Sequence, residues 1–187
     1  MESNSYQMKL ERKFCVADHA VSVTDGTLIE GYASYFGKCD KGGDVVEAGA
    51  YAASLANLAR RGRNVKMLWQ HDPTQPIGVW DEVVEDSKGL YVKGHLLLDV
   101  AKGREAAALI EAGAIDGLSI GYRTKKVHRN GKGQRLLAEL DLWEVSLVTF
   151  PMLPEARVGA KRDAPDADAL RDLAGIFNSA RHMLARD

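Results

Sequence analysis

The sequence has little of what indicates a secreted, membrane-bound or nucleic-acid-coating protein. Its 187 residues contain two cysteines, Cys15 and Cys39, which is too few for a disulfide framework or a zinc cluster. No apolar run is long enough for a transmembrane helix, and the N-terminus lacks the basic-then-apolar layout of a signal peptide. A formal net charge of -1 argues against a bulk electrostatic partner such as duplex DNA. We therefore expect a reducing compartment, with no membrane, metal or cofactor as a partner, and we disfavour nucleic acid.

What the chain does contain is an ordinary globular balance, with 45% hydrophobic and 27% charged residues. At this length it can bury one sizeable core. From residue 155 onwards the composition turns to Ala, Asp and Arg, with a partial apolar stripe over about residues 166–184. We therefore expect residues 1–158 to form one domain and residues 159–187 a helical C-terminal tail.

Alternating apolar residues and turn signals predict many strands with a few interposed helices. Asp25-Gly26 and Asn130-Gly131 mark two hairpins, and Asp72-Pro73 is predicted to end a strand. The connections are mostly local, so the predicted fold class is mostly β with interposed α-helices, as an antiparallel sheet or barrel. The predicted strands cover residues 14–23, 28–36, 65–71, 77–84, 90–98, 118–127 and 136–150, and the predicted helices cover 48–61 and 99–113.

One stretch is suited to chemistry, Gly117-Leu118-Ser119-Ile120-Gly121. In a strand the side-chain period is two, so Ser119 has only Gly117 and Gly121 beside it on its face, with open space for an incoming carbonyl. The nucleophile elbow of α/β-hydrolases has the same Gly-x-Ser-x-Gly pattern, but it needs a helix after the serine. Here the predicted helix precedes Ser119, so we reject the elbow and keep a strand-borne nucleophile. The alternative is a glycine-flanked strand in tight backbone contact.

A serine nucleophile needs a base, and that base needs an orienting partner. His71 is the best candidate base. It ends a strand whose apolar face holds Met67 and Trp69, so we expect it where the core meets solvent. The alternative is that His71 only packs against Trp69 or caps a turn.

Glu144 is the candidate third member, because both faces of residues 140–148 are largely apolar and predict a buried strand. A buried carboxylate needs a cationic or hydrogen-bonding partner, and a histidine N–H supplies one. The period of two places Glu144 on the face of Leu142 and Ser146. Asp141, on the other face of the strand, is the competing candidate for the third member. The alternative to a buried Glu144 is an edge strand in which Glu144 is exposed to solvent.

A basic arm over residues 123–135 contains no acidic residue. One interpretation is a surface that binds nucleic acid or an acidic protein segment. The other is a solvated hairpin tip with no binding role. The arm lacks the interleaved aromatic residues expected of a single-strand binder. Its cations are Arg123, Lys125, Lys126, Arg129, Lys132 and Arg135.

Four blocks follow one another over roughly residues 28–158. They are Gly31-Tyr32-Ala33 through Phe36 with Gly49-Ala50-Tyr51; Leu68-Trp69-Gln70-His71-Asp72 with Ile77-Gly78; residues 113–122; and Trp143-Glu144-Val145-Ser146-Leu147-Val148-Thr149 with Pro151. Together they resemble the tailed-phage prohead (capsid maturation) serine proteases of the HK97 type. That family is related to the herpesvirus assembly proteases, whose antiparallel β-barrel ringed by helices is the fold implied here.

The resemblance implies a serine endopeptidase in which Ser119 attacks, His71 is the base and Glu144 is the third member. In the herpesvirus relatives that third position is a second histidine. The resemblance also suggests main-chain N–H groups near Met152 and Leu153 as an oxyanion hole. Residues 151–154 depart from the family pattern, however, because a small or polar residue is expected between the two prolines.

The same resemblance implies a place and a substrate. The enzyme is expected in the host cytoplasm, inside the assembling prohead, where it cleaves scaffold or the scaffold-like segment of the major capsid protein, and often itself. Self-association is left open. Two other classes of function remain: a non-catalytic scaffold- or capsid-binding module on the same fold, and a nucleic-acid-binding protein that uses the basic arm.

Overall fold

The computed structural model describes residues 11–14, 22–24, 27–40 and 42–149. Over these residues the chain forms nine strands and two helices. In chain order they are β1 (Glu11–Phe14), β2 (Ser22–Thr24), β3 (Leu28–Tyr35), β4 (Asp44–Val46), α1 (Ala52–Arg60), β5 (Lys66–Trp69), β6 (Asp72–Glu85), β7 (Gly89–Leu96), α2 (Ala101–Glu111), β8 (Gly117–Arg129) and β9 (Arg135–Val148).

The strands form one mixed sheet in the order β1-β8-β9-β5-β6-β7-β3-β2, and β4 pairs with β9. The mostly β prediction is confirmed, but the antiparallel prediction is wrong at β9, which runs parallel to both β4 and β5. Several other strands and helices lie between β4 and β9 in the chain, and the same is true of β5 and β9, so neither pair is joined by a hairpin. Parallel pairs need such long connections, and local turn signals do not reveal them.

The core lies between the inner face of the sheet and the two helices. Leu118 and Ile120 of β8 pair with Leu147 and Val145 of β9, and all four side chains are buried. The Trp80 ring joins them and donates its Nε1–H to the Val145 carbonyl at 3.2 Å. Because β9 has neighbours on both sides, its residues are held in a fixed register, which makes it a rigid support for a site.

Helix α1 begins later than predicted, because residues 48–51 form turns before it. The Glu85 carboxylate at the end of β6 accepts the backbone N–H groups of Gly49 and Tyr51, the second at 2.9 Å. Gly49 has a φ of 90°, which favours glycine. The Gly49-Ala50-Tyr51 block therefore fastens the start of the helix to the sheet. Helix α2 begins at Ala101 with Val100 as its N-cap, two residues after the predicted start at residue 99.

The prediction of one strand over residues 14–23 is wrong, since its two ends pair at opposite edges of the sheet. β1 pairs with β8, with Phe14 opposite Ser119, whereas β2 pairs with β3. The predicted turn at Asp25-Gly26, the tail over residues 159–187, and Met152 and Leu153 lie outside the described residues. Neither described helix is long and apolar enough to cross a membrane.

Candidate active site

Three buried side chains form a hydrogen-bonded line at the outer face of β8 and β9. His71 Nε2 lies 2.5 Å from Ser119 Oγ, and His71 Nδ1 contacts Glu144 Oε1 on the other side of the ring. Ser119 is 0%, Glu144 5% and His71 7% exposed, so water competes little for these bonds. The structure thus brings together the three residues that the sequence singled out.

The chemistry of the three groups fixes the direction of each hydrogen bond. An ionised carboxylate only accepts, so the Nδ1–H of His71 donates to Glu144 Oε1. The neutral ring then presents Nε2 as an acceptor, and the hydroxyl of Ser119 donates to it. In this arrangement a proton can pass from Ser119 to the imidazole while Glu144 stabilises the resulting cation.

Ser119 lies on β8 as the period of two predicts. Its face carries the two glycines, whereas Leu118, Ile120 and Tyr122 are buried in the core. The prediction that this face leaves open space for a substrate carbonyl is wrong at Gly121, however. A Cβ on Gly121 would lie 2.7 Å from Glu144 Cδ and 2.8 Å from its Cγ. Gly121 therefore makes room for the carboxylate of Glu144 and not for an incoming carbonyl.

His71 is not a strand residue, so the prediction that it continues the face of Met67 is wrong. Strand β5 ends at Trp69, which pairs with Asp72, the first residue of β6. Gln70 and His71 are the two loop residues of this hairpin, with φ of 52° and 61°. Both φ values are positive, as in a type I′ turn, in which Asn-Gly is preferred. The turn reverses the chain and points the imidazole to the outer face.

Tertiary hydrogen bonds hold this turn in place. The N–H of Gln70 donates to the Leu147 carbonyl at 2.9 Å, and Gln70 Nε2 lies 2.6 Å from Thr149 Oγ1. The N–H of His71 donates to Ser146 Oγ at 3.2 Å. Each non-glycine residue at positive φ costs roughly 1–3 kcal/mol, and such residues persist where the surroundings over-determine them. Strand β9 supplies that surrounding structure here.

Glu144 reaches the site through a β-bulge. Gly121 pairs with Glu144 and Tyr122 pairs with Leu142, so Trp143 is an extra residue in β9. The bulge lets Leu142 and Val145 both face the core, and it places Glu144 on the opposite face with Ser146. The prediction of a buried strand is confirmed. The prediction that Glu144 shares a face with Leu142 is wrong, because an uninterrupted period of two takes no account of a bulge.

Ser146 is a site residue that the sequence argument did not select. Its Oγ accepts the N–H of His71 and contacts Glu144 Oε2, and the residue is fully buried. Ser146 also pairs with Ser119 across β8 and β9. A signal was available in the sequence, since a serine two residues after a buried carboxylate on the same strand face is a natural hydrogen-bond donor to it.

Asp141, Asp72 and His95 have other partners. Asp141 faces Lys125 at 4.0 Å and is not a partner of His71. Asp72, the residue after His71, accepts hydrogen bonds from the hydroxyl and N–H of Thr74, and these bonds lower the pKa of its carboxyl. His95 pairs with Asp81 at 2.9 Å. Over residues 27–40 and 42–149, no group of three His, Cys, Asp or Glu side chains is arranged to hold a metal ion.

Some cations of the basic arm pair with acidic residues of neighbouring strands. Lys126 pairs with Glu139 of β9, and Arg135 pairs with Asp44 of β4 at 3.4 Å. The Arg123 guanidinium lies over the Trp143 ring, 4.3 Å from its centroid. These contacts offset part of the positive charge of the arm and weaken the nucleic-acid hypothesis.

The family model for caudovirus prohead serine proteases matches residues 16–168. The chain belongs to this family. His71, Ser119 and Glu144 all lie within the region that matches this family.

Two curated relatives and one solved structure are similar to this chain. The prohead protease of Enterobacteria phage HK97 is 32% identical over 151 residues, which covers 78% of this chain and 65% of the relative. The capsid polyprotein of Pseudomonas phage PAJU2 is 32% identical over 102 residues, which is 50% of this chain and 15% of the relative. The chain thus spans less than two thirds of the length of either relative. The bacteriophage T4 capsid assembly protease has the same fold, with a TM-score of 0.62 at 16% identity over 76% of this chain and 98% of that one.

Proposed function

We propose that this chain is a serine endopeptidase of phage prohead maturation. Its substrate is scaffold, or the scaffold-like segment of the major capsid protein, and it also cleaves itself. It acts in the host cytoplasm, inside the assembling prohead. The observation that carries the proposal is the buried line from Ser119 through His71 to Glu144, in a chain that belongs to the prohead serine proteases.

The proposed reaction follows from the direction of the hydrogen bonds. Ser119 Oγ attacks the scissile carbonyl carbon while its proton passes to His71 Nε2, and Glu144 stabilises the imidazolium. The imidazolium then gives this proton to the leaving amine, which departs from the tetrahedral intermediate and leaves an acyl-enzyme. Water, deprotonated by the same nitrogen, hydrolyses the ester and restores Ser119. Main-chain N–H groups near Met152 and Leu153 are our proposed donors to the oxyanion.

Co-expression with the phage's own major capsid protein tests this function. Wild-type enzyme should shorten the capsid precursor, and N-terminal sequencing of the products should identify the cleaved bond. Ser119→Ala should abolish cleavage and keep the fold, because losing one hydroxyl beside Gly121 changes little packing. A fully active Ser119→Ala protein would rule the proposal out.

One observation favours a non-catalytic capsid-binding module as the second candidate. Ser119 has no exposed surface, so a substrate carbonyl reaches its hydroxyl only after the groups that cover it move. A fluorophosphonate probe separates the two candidates, since it reacts only with an activated and accessible serine. Labelling of Ser119 in assembled proheads supports the protease. Failure to label it there, with binding to capsid protein retained, supports the module.

Residues 159–187 are our proposed self-cleaved or scaffold-docking tail. Mass spectrometry of protein recovered from mature capsids tests the first role. An active enzyme that still ends at Asp187 would contradict self-cleavage.

A further inference from the structure

We propose that Ser146 is a positioning residue, whose single hydroxyl fixes the positions of His71 and Glu144 relative to each other. This inference rests on the proposed protease function. It starts from the fact that one oxygen atom contacts both partners: Ser146 Oγ lies 3.2 Å from the backbone nitrogen of His71 and also contacts Glu144 Oε2.

The two hydrogen bonds are compatible in one arrangement only. The backbone N–H of His71 is a donor, so Ser146 Oγ accepts from it. The one hydroxyl proton of Ser146 is then free, and the carboxylate of Glu144 is acceptor-only, so the proton points to Oε2. Glu144 thereby has both oxygens occupied, Oε1 by the imidazole and Oε2 by Ser146. A carboxylate held at both oxygens cannot rotate away from the imidazole.

The position of Ser146 in the sheet gives these bonds a rigid base. It pairs with Ser119 of β8 on one side and with Leu68 of β5 on the other, and it is 0% exposed. Its partner His71 is in a two-residue loop at positive φ, a conformation that needs support from its surroundings. Ser146 therefore links the nucleophile strand, the strained turn and the carboxylate.

Two other buried serines provide matched controls for a Ser→Ala substitution. Ser34 in β3 is 0% exposed, and its hydroxyl oxygen has no hydrogen-bond partner among the described residues. Ser54 in α1 is also buried, and its Oγ accepts the N–H of Leu142 at 2.8 Å. Ser34→Ala thus reports the effect of truncating a buried serine. Ser54→Ala reports the loss of a buried hydrogen bond to Leu142, at the bulge of β9, that does not involve His71, Ser119 or Glu144.

The test measures cleavage of the capsid precursor, the rate of fluorophosphonate labelling of Ser119, and melting temperature for all three variants. We expect Ser146→Ala to lower kcat about 10- to 100-fold with little change in KM, because a small misplacement of reacting groups costs rates of this order. Ser34→Ala should change nothing, and Ser54→Ala should lower the melting temperature with a much smaller effect on kcat than Ser146→Ala has. Ser146→Thr, which keeps the hydroxyl, should recover most of the activity.

A purely structural role for Ser146 would give a different pattern. Ser146→Ala would then resemble Ser54→Ala, with a lower melting temperature and a kcat near that of wild type, and this result would overturn the proposal. Should Ser146→Ala not fold, Ser146→Cys replaces it, because the thiol is a weak donor of similar shape. A folded Ser146→Cys enzyme with wild-type kcat would overturn the proposal as well.

A spectroscopic readout keeps this inference separate from the proposed function. The His71 Nδ1–H that donates to a buried carboxylate should give a far-downfield proton resonance. We expect this resonance in wild type and Ser34→Ala and its loss in Ser146→Ala, whether or not the protein cleaves any substrate. Its persistence in Ser146→Ala would overturn the positioning role, whereas an inert wild type with the expected resonances would overturn only the protease function.

Discussion

Two hairpins of the same sheet are built in opposite ways. The loop between β8 and β9 comprises residues 130–134, and the loop between β5 and β6 comprises Gln70 and His71. The first has the residues that turns prefer and lies far from the buried site. The second has residues that such turns disfavour and carries the candidate catalytic base. The comparison shows where this fold follows local preference and where tertiary contacts override it.

The β8–β9 loop is stabilised by its own residues. Asn130 Oδ1 accepts the N–H groups of Lys132 and Gln134 at 3.0 and 3.1 Å, which is the local bonding that makes asparagine a turn residue. Gly133 has a φ of 78°, which glycine adopts at no steric cost. This loop was predicted correctly because everything it needs is within five residues of sequence.

The β5–β6 loop depends on residues more than 70 positions away in the chain. Gln70 and His71 are the only non-glycine residues with positive φ in the described part of the chain. Their backbone bonds go to Leu147 and Ser146 of β9. Strain placed at a site and held by its surroundings is a recognised feature of catalytic residues. It makes His71 part of a rigid, preorganised arrangement.

Replacing the histidine at each hairpin with alanine should give the largest difference in activity between the two hairpins. His71→Ala should lower kcat/KM about 10⁴-fold or more, because the serine loses its base. His128, near the end of β8, is exposed and pairs with the partly exposed Glu47 at 3.3 Å. His128→Ala should therefore keep activity within about twofold, as expected of a surface substitution. The measurement is precursor cleavage at equal folded concentration, and comparable rates for the two variants would contradict the assignment of His71.

A glycine-to-alanine pair should sharpen the comparison with a smaller effect. Gly121→Ala should lower kcat about 100-fold, because the new methyl group displaces the Glu144 carboxylate and small misplacements cost rates of this order. Gly131 in the β8–β9 loop has open space around its Cα, so Gly131→Ala should leave kcat unchanged.

Steady-state kinetics and circular dichroism of both variants provide the check. Full activity in a folded Gly121→Ala protein would mean that the position of the Glu144 carboxylate does not matter for catalysis.

The loop between β6 and β7 is a third case, in which one carboxylate bonds both its own loop and Tyr32 of β3. Asp86 Oδ1 accepts the N–H of Lys88 at 2.7 Å, and Oδ2 accepts the Tyr32 hydroxyl. The Tyr32 bond is the main cause of a pKa for Asp86 below its ordinary 3.8, and it raises the pKa of Tyr32 to about 12. A lowered carboxyl pKa contributes stability above the unfolded-state pKa, and this contribution is lost as pH falls through the folded-state pKa.

Asp86→Asn should therefore have the smallest effect of the three. We expect it to lower the free energy of unfolding at pH 7 by less than about 1 kcal/mol, because Asp86 is exposed and water screens its interactions. The difference from wild type should shrink as pH falls below the ordinary pKa of 3.8 and through the lower folded-state pKa of Asp86. Thermal unfolding between pH 3 and 8 measures it, and kcat should stay unchanged. A difference that grows towards acid pH would contradict this account.

Much of the fold and the identity of the central residues could be predicted from sequence, but the geometry of the site could not. The two faces of β8 follow the period of two, so Ser119 was placed correctly. His71 and Glu144 were selected for sound chemical reasons, but His71 was wrongly placed in a strand and Glu144 was wrongly placed on the face of Leu142. A turn at positive φ and a bulge at Trp143 are the causes, and no local signal marks either one.

What the sequence alone determined is local: which segments alternate or repeat as strands and helices, where Asn130 turns the chain, and which side chains have the chemistry of nucleophile, base and acid. Only the tertiary structure decided that β5 and β9 run parallel, that Gln70 and His71 adopt positive φ, and that Ser146 lies between His71 and Glu144. The physical reason is that these features depend on contacts between residues about 75 positions apart, as His71 and Ser146 are. Such contacts form only once β9 is paired on both sides and its register is fixed.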